Sequence, residues 1–404
     1  MAHSSTEVAL PPEAERFDSK HGGILPTVFL GAGVVGIIGS LIGLSIPALR
    51  EQFAYSWLFA CFYFFTLCAG ALFWAILHHA TDAEWSVLIR RQMENLASLI
   101  PAFFVLFLPL LTSYCAPILW KWWNKGAGED PLLDAKAGFL NHTFFYIRYV
   151  LYFVALGGVA WLLRGNSVAQ DKDGKPGRSL WMRKVAIAGL ILFAVSLTFA
   201  AVDWLMGLDY HWFSTMWGVY IFAGAAGSSM SLLVIIVTAL KSRGYLKLVN
   251  TEHYHIMGKF MLAFTIFWAY IGFSQYMLIW YANIPEETIY FRIRNTESWH
   301  IFSTLLVVGR FFIPFPILLT QWIKKHPSRL CMLAGWVLFM QLLDMYIMVL
   351  PSLHQTGFAP SILDALSLLG VGGIVGWLWF RVLRSASLFP TRDPRLVGSI
   401  KLTN

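Results

Sequence analysis

Charged residues are scarce in this sequence of 404 residues, and their scarcity excludes most soluble folds. Only 13% of the residues are Asp, Glu, Lys or Arg, whereas 57% are hydrophobic. A soluble domain carries about a quarter charged residues. The composition therefore predicts a polytopic membrane protein, and the eighteen Trp and fifteen Tyr are enough to form aromatic belts at both membrane interfaces.

Cysteine is rarer still, and known ligand motifs are absent. The four cysteines lie within or beside apolar segments and form no C-x-x-C pair, so we interpret them as small buried side chains rather than as zinc or cluster ligands. The sequence has no Walker A motif and no soluble stretch long enough for a nucleotide domain. Its histidines lie at helix ends, which disfavours a bis-histidine haem. We therefore expect no cofactor to be bound directly.

About ten apolar segments reach the roughly 20 residues that a membrane-spanning helix needs. We predict an all-α polytopic fold with spans near 26–46, 53–78, 96–120, 142–163, 181–206, 212–240, 255–283, 298–322, 330–350 and 362–383. Residues 1–22 are polar and are expected to be flexible, with no cleaved signal peptide. Residues 165–180 are rich in turn formers and predict a mobile loop.

The basic residues divide unequally between the two sides of this topology. If the N-terminus is inside, 21 of the 30 lysines and arginines fall on the inner side, six fall outside, and Arg148, Lys259 and Arg310 lie within spans. The positive-inside rule then places both termini in the cytoplasm. The net charge of +8 reflects this asymmetry, so we expect no nucleic-acid partner.

Polar residues recur at matching places in two blocks of four spans. Each block contains an even number of spans, so the two copies share one orientation and form a parallel repeat rather than an inverted one. We predict a flanking helix over 23–52, four-helix bundles over 53–211 and 212–361, and a last helix with a cytoplasmic tail over 362–404. The matching residues of the first and second copies are His142 and His300, Arg148 and Arg310, Asp203 and Asp344, and His211 and His354.

Acids inside apolar helices are costly to insert, and a functional role is the default hypothesis for them. The repeat pairs Asp203 with Arg148 and Asp344 with Arg310, either as structural latches or as parts of a proton relay. Residues Tyr270 and Gln275 put hydrogen-bonding groups at membrane depth, where they hold water or join helices. The proton-path candidates are Asp203, His211, Asp344, His354, Arg148, Arg310, Tyr270 and Gln275.

Two runs of the sequence resemble a known family. The run FTIFWAYIGFSQYMLIWYANIPEET over 264–288 and the run HWFSTMWGVY over 211–220 resemble the membrane subunits of alternative complex III, which belong to the NrfD/PsrC-like superfamily. The resemblance covers nearly the whole chain. Its length and short termini are similar to those of the smaller of the two membrane subunits of that complex.

The resemblance implies a subunit of a respiratory or photosynthetic quinol:electron-acceptor oxidoreductase in the bacterial inner membrane. The implied partners are a larger NrfD-like sister subunit, an iron–sulfur subunit, multihaem cytochrome c subunits and lipid. Haem c and the iron–sulfur clusters then belong to those partners, and the quinone is menaquinone or ubiquinone. The family assigns the quinol site to the larger sister, so proton conduction and anchoring of partners remain for this chain.

Two alternatives stay open at this point. In the first, the chain binds quinone itself, with His142 and Asp203 at the head group. In the second, it is a purely structural scaffold, and its buried acids only hold helices together. A standalone transporter fits less well, because the 264–288 run resembles a subunit of a complex.

Overall fold

The computed structural model describes residues 15–126 and 128–403, and within them the chain is helical, with no strand. The predicted all-α polytopic fold with ten spans is confirmed. The ten long helices, α1 to α10, are Leu25–Ser45, Pro47–Ala80, Glu84–Leu111, His142–Asp173, Pro176–Leu208, Trp217–Ser242, Thr251–Ala282, Trp299–Leu319, Pro327–Ser352 and Ile362–Arg384.

The helices pack as two groups of four with a flanking pair. Helices α2 to α5 contact one another, as do α6 to α9, while α1 packs along α10 and both lean on α2. The two groups meet where α2 contacts α6, and these are the two most buried helices. Successive helices alternate in direction, so corresponding helices of the two groups run the same way. We call the face that carries residue 15 the N-terminal face and the other the opposite face.

Glycines allow α1 and α10 to approach at backbone distance. A Cβ atom added to Gly36 would lie only 2.2 Å from the backbone nitrogen of Gly370, and one added to Gly373 would lie 2.3 Å from the backbone nitrogen of Gly33. Small residues at a helix interface permit this kind of packing inside a membrane. The glycines of α1 therefore have a structural role on its buried side.

The third span begins earlier than the sequence predicts. Helix α3 runs over Glu84–Leu111 instead of 96–120, because Arg90, Arg91 and Glu94 lie inside the helix, fully buried. These charges pair with one another and with distant parts of the chain, which makes their burial tolerable. Between α3 and α4 the short helices Ala116–Leu119, Lys121–Asn124 and Pro131–Lys136 lie at the opposite face.

The prediction of a mobile loop over 165–180 is wrong. Helix α4 continues to Asp173 and α5 begins at Pro176, with Gly174 at φ +63° between them. A left-handed glycine is a common way to end a helix. The extension is held by Gln170, whose amide donates to the Ser179 hydroxyl at 2.8 Å. Ser167 and Gln170 are buried against protein, whereas Lys172, Asp173 and Lys175 are exposed.

The two ends of the chain meet at the N-terminal face. Of the segment expected to be flexible, residues 1–14 lie outside the described residues. Phe17 is buried, and the backbone N–H of Leu388 donates to the carbonyl of Glu15 at 2.8 Å. The segment is therefore anchored to the rest of the chain at Glu15 and Phe17.

Replacing Gly36 by leucine should separate α1 from α10, because backbone atoms of α10 already occupy the space that the new side chain needs. Overpacking of this kind costs about 1–3 kcal/mol, so the melting temperature of the purified protein in detergent should fall by about 1–4 °C. Gly31→Leu is the matched control, since nothing lies within 4 Å of a Cβ at this exposed position of the same helix. Equal melting temperatures for the two variants would contradict the proposed role of the glycine contact.

Candidate functional site

The first buried ion pair joins α4 to α5. The Arg148 guanidinium donates to both carboxylate oxygens of Asp203, from Nε at 2.8 Å and from Nη2 at 2.7 Å. The hydroxyl of Tyr152 donates to the same carboxylate at 2.6 Å, and Nη1 of Arg148 donates to the carbonyl of Phe139 at 2.7 Å. The predicted pairing of Arg148 with Asp203 is confirmed. Tyr152 was not predicted, although it lies one turn after Arg148 on the same face of α4.

Aromatic rings fill the space around this first pair. The ring of Trp204, which follows Asp203, lies 4.5 Å from that of Phe107, 5.7 Å from that of Phe153 and 5.5 Å from that of Phe65, measured between centroids. With its polar atoms engaged and its surroundings packed, the Arg148–Asp203 pair has the form of a fixed latch between two helices.

The second buried ion pair joins α8 to α9 more loosely. Nη1 of Arg310 lies 3.3 Å from Oδ2 of Asp344, without the geometry of a hydrogen bond. The carboxylate instead accepts from the hydroxyl of Tyr220 at 2.7 Å and from the indole N–H of Trp268 at 3.0 Å. Nη2 of Arg310 donates to the side-chain carbonyl of Gln341. The predicted pairing is confirmed, whereas Tyr220, Trp268 and Gln341 were not predicted.

Helix α8 differs from its counterpart α4 around the arginine. Residues Val308–Phe312 form a π-helical turn that contains Arg310, and Pro314 follows. Pro314 lies four residues after Arg310 in α8. The corresponding position of α4, four residues after Arg148, is Tyr152. Turns of this kind inside α-helices are frequent at functional sites. The tyrosine that binds Asp344 accordingly comes from α6 instead.

A cavity of about 860 Å³ adjoins the second pair. Asp344 and Tyr220 lie at its inner end, and 11 of its 25 lining residues are aromatic. Its mouth lies between α7 and α8, where Phe273 and Phe312 are largely exposed. The remaining aromatic wall residues are Trp212, Trp217, Trp268, Tyr270, Tyr276, Tyr290, Phe291 and Phe311. The cavity is therefore reached from the membrane side of the protein.

The two predicted polar residues of α7 line this cavity at different depths. Tyr270 is 64% exposed and lies at the rim, away from the buried pair. Gln275 is buried, and its side-chain carbonyl accepts from the Ser214 hydroxyl at 2.7 Å. Both belong to the wall of the cavity, and Gln275 is bonded to Ser214 rather than to Asp344.

The predicted histidines lie at the opposite face, apart from the buried aspartates. His211 is half exposed and bonds Asp130 through Nε2 at 2.8 Å. His354 donates from Nε2 to the side-chain carbonyl of Gln52 at 2.8 Å. His142 is exposed and donates to the carbonyl of Trp123 at 3.1 Å. The structure thus brings each arginine to its aspartate but brings none of these three histidines into contact with either pair.

Electrostatics at the opposite face centre on Asp130. The hydrogen bond from the Tyr210 hydroxyl, followed by the bond to His211, lowers the pKa of Asp130 to about 2. Burial, together with the bond to Asp130, raises the pKa of Tyr210 to about 12. Asp130 is therefore a carboxylate at neutral pH, and it ties the 112–141 segment to the start of the second group.

A network of buried charges occupies the N-terminal end of the first group. Glu94 accepts from Nε2 of His79 at 3.1 Å and from Nε of Arg91 at 3.1 Å. Arg90 pairs with Asp393 of the C-terminal segment, and Asp393 also pairs with Arg395 at 2.9 Å. Asp393 is 303 residues from Arg90, so no local sequence pattern reveals this partner.

Several polar atoms in this network have no protein partner. Both ring nitrogens of the fully buried His78 lack a hydrogen bond, as do Nδ1 of His79 and Nη1 of Arg90. Buried groups of this type are normally satisfied, by protein or by ordered water. The N-terminal end of the first group is therefore the most polar part of the protein interior that the structure describes.

No family model and no curated protein matches this chain.

Replacing Asp393 by asparagine should destabilise the protein, because the buried Arg90 then keeps only Glu94, 3.4 Å away, which it shares with Arg91 and His79. Loss of one partner of a buried pair costs about 3–5 kcal/mol in the free energy of unfolding. Burial acts to raise the pKa of Asp393, but Arg90 and Arg395 outweigh it and hold the pKa below its ordinary value. The stabilisation is therefore complete above about pH 4 and is lost as the pH falls further.

Chemical unfolding in detergent micelles between pH 3 and pH 7 measures this difference. The control is Asp173→Asn, which removes the partly exposed pair of Asp173 with Arg178 on the same face and should change the unfolding free energy little. An Asp393→Asn variant as stable as the parent protein at pH 7 would show that the C-terminal segment does not hold Arg90.

Proposed function

We propose that this integral membrane protein is a subunit of a quinol:electron-acceptor oxidoreductase of the alternative complex III type, where it conducts protons and anchors partner subunits. The observation that carries the proton-conducting role is the loosely held Asp344, buried in the second group beside a cavity. The family assignment rests on the resemblance of the 211–220 and 264–288 runs. The N-terminal face is then cytoplasmic, in the bacterial inner membrane.

The contacts of Asp344 suit an acid that exchanges protons. Tyr220 and Asp344 both line the cavity, and the Tyr220 hydroxyl, which donates to the carboxylate, can pass a proton between the cavity and Asp344. Arg310 is held by Gln341 and by the face of Trp268, 4.5 Å away, rather than by a bidentate bond to the acid. A protonated Asp344 therefore leaves Arg310 with other partners, which lowers the cost of changing the charge state.

Polar groups continue from Asp344 toward the N-terminal face. A Cβ atom added to Gly224 of α6 would lie 3.0 Å from Oε1 of Gln341, so the backbone of α6 closely approaches this pair. One turn further, the hydroxyl of Ser228 bonds the carbonyl of Gly224 at 2.6 Å. The neighbouring Ser229 approaches α2 at Gly70.

From Gly70 the same side of α2 leads to the buried network. Trp74 donates to the carbonyl of Ala226 at 2.9 Å, and the ring of His78 lies 5.8 Å from that of Trp74. His79 then bonds Glu94. This series of hydroxyl, imidazole and carboxylate groups, completed by water, is the route that we propose for protons through the membrane.

The first pair, Arg148 with Asp203, has a structural role in this proposal. Its bidentate geometry, the bond from Tyr152 and the packed rings around Trp204 leave the carboxylate no alternative partner. We therefore restrict the relay role to Asp344 and treat Asp203 as a latch between α4 and α5.

The opposite face supplies surface for the partner subunits. Glu129 and Glu286 are exposed there, and the aromatic side chain of Tyr281 is 89% exposed at the end of α7. Exposed aromatic residues are enriched in protein–protein contacts. We propose that the iron–sulfur and multihaem cytochrome subunits dock on this face.

Asp344→Asn, measured in the assembled complex, tests the relay. We expect assembly to persist, because the asparagine oxygen can accept from Trp268 while its NH2 group donates to the hydroxyl oxygen of Tyr220. Proton release per quinol oxidised should fall by at least about tenfold, as for other positioned proton-transfer groups. Proton release is followed with a pH dye in proteoliposomes, and assembly by the yield of cytochrome that co-purifies with the tagged chain.

Asp203→Asn is the matched control from the first group. It should lower the yield or melting temperature of the complex but leave proton release per quinol unchanged in the molecules that assemble. Unchanged proton release in Asp344→Asn would eliminate the relay. A tagged chain that purifies without any haem-containing or iron–sulfur protein would eliminate the proposed complex.

A further inference from the structure

The two groups of helices differ in what lies beside the buried aspartate. In the first group Trp204 follows Asp203 and packs among phenylalanine rings, whereas in the second group Met345 follows Asp344. The π-helical turn at Val308–Phe312 and Pro314 also interrupts α8, on the far wall of the cavity. The cavity thus lies where the structure of the second group of helices differs from that of the first.

The form of the cavity restricts the kind of molecule that fits. Its volume of about 860 Å³ is within the range of sites for small organic ligands, about 300–1,000 Å³. Its mouth, between Phe273 and Phe312, faces the region where lipid surrounds the protein. Asp344 lies eight residues before the end of α9, which is about 12 Å along a helix. A ligand therefore enters from the membrane and reaches a polar end at shallow depth.

The polar end offers groups for a head with oxygen atoms. The hydroxyl of Tyr220 donates to Asp344 and keeps lone pairs that can accept. Arg294 uses three of its N–H groups on backbone carbonyls, of Ile347, Tyr290 and Met348, so two of its five remain. Asn295 adds an amide beside Arg294 on the same wall. Oxygen atoms of a ligand thus find both donors and an acceptor here.

The walls favour a flat ring and an apolar tail. The rings of Trp217 and Tyr220 lie nearly parallel, 17° apart, on one side of the cavity, and aromatic faces of this kind stack on conjugated rings. A phosphate head group is disfavoured, because Arg294, the arginine among the described lining residues, has three of its N–H groups on backbone carbonyls. The carboxylate of Asp344 also lines the cavity and repels an anion.

We propose that this cavity is a binding site for an isoprenoid quinone, with the ring at Tyr220 and Arg294 and the tail leaving between Phe273 and Phe312. The choice of a quinone among ring-headed lipids rests on the proposed function. The site is on the second group of helices, beside Asp344, and not at His142 and Asp203. Bound there, a quinol hydroxyl can donate to the oxygen of Tyr220, which connects the ligand to the proposed proton route.

Photo-crosslinking of the full-length protein, purified with whatever partners accompany it and placed in lipid nanodiscs, tests this site. The probes are an azidoquinone with a short prenyl tail and an azide-bearing phosphatidylcholine. We expect the azidoquinone to label α7 and α8 around the cavity, and an excess of unlabelled ubiquinone or menaquinone to suppress the labelling.

Ala269→Phe places a ring inside the cavity and should reduce this labelling by at least about tenfold. Ala263→Phe is its matched control, because Ala263 is an exposed alanine of the same helix that does not line the cavity, and it should leave labelling unchanged. If Ala269→Phe does not fold, Val307→Trp narrows the mouth from a half-exposed position of α8 and should have the same effect.

Each outcome bears on the proposal. Labelling of α7 and α8 by phosphatidylcholine that quinone does not displace would show that the cavity holds structural lipid, and would overturn the inference. Azidoquinone labelling that is absent, or confined to the first group, would also overturn it. Quinone labelling in a chain that purifies without redox partners would support the site and refute the proposed complex. Normal proton release without labelling would refute the site alone.

Discussion

The requirement that a charge inside the membrane be accompanied by its counter-charge governs this fold. Arg148 pairs with Asp203 between α4 and α5, and Arg310 pairs with Asp344 between α8 and α9. Arg90 pairs with Asp393, which draws the C-terminal segment against α3. An unpaired charge at such depth costs several kcal/mol. Each pair therefore specifies which segments are neighbours, where apolar packing alone would permit other arrangements.

Much of the architecture could be predicted because polar residues are rare in the apolar segments. Length and hydropathy gave the number of spans, and the recurrence of Arg148 with Asp203 as Arg310 with Asp344 gave both buried pairs. The start of α3 was missed for the same physical reason. Arg90, Arg91 and Glu94 have the composition of a loop, and their burial depends on distant partners: Asp171 pairs with Arg91, and Asp393, 303 residues away, pairs with Arg90. No local pattern contains that information.

The histidines show a different limit of reasoning from a repeat. His211 and His354 follow the buried aspartates at similar spacings, yet each lies beyond the helix end and bonds the nearest polar group of the opposite face, Asp130 or Gln52. Their equivalence in the sequence reflects equivalent positions in two helical groups. It does not extend to contact with the acids, because a turn after the helix separates the two side chains.

The two ion pairs differ in how firmly the carboxylate is bonded to its arginine, and this difference is our basis for assigning them different roles. Asp203 has both oxygens held by Arg148 and a further bond from Tyr152, so any change in its charge breaks several bonds at once. Asp344 is held by Tyr220 and Trp268, while Arg310 has Gln341 as a separate partner. Proton transfer requires a carboxylate whose two charge states are close in free energy. The second arrangement suits that condition better, because Asp344 shares no hydrogen bond with Arg310. In our proposal the first copy therefore keeps the helices together while the second changes its protonation state.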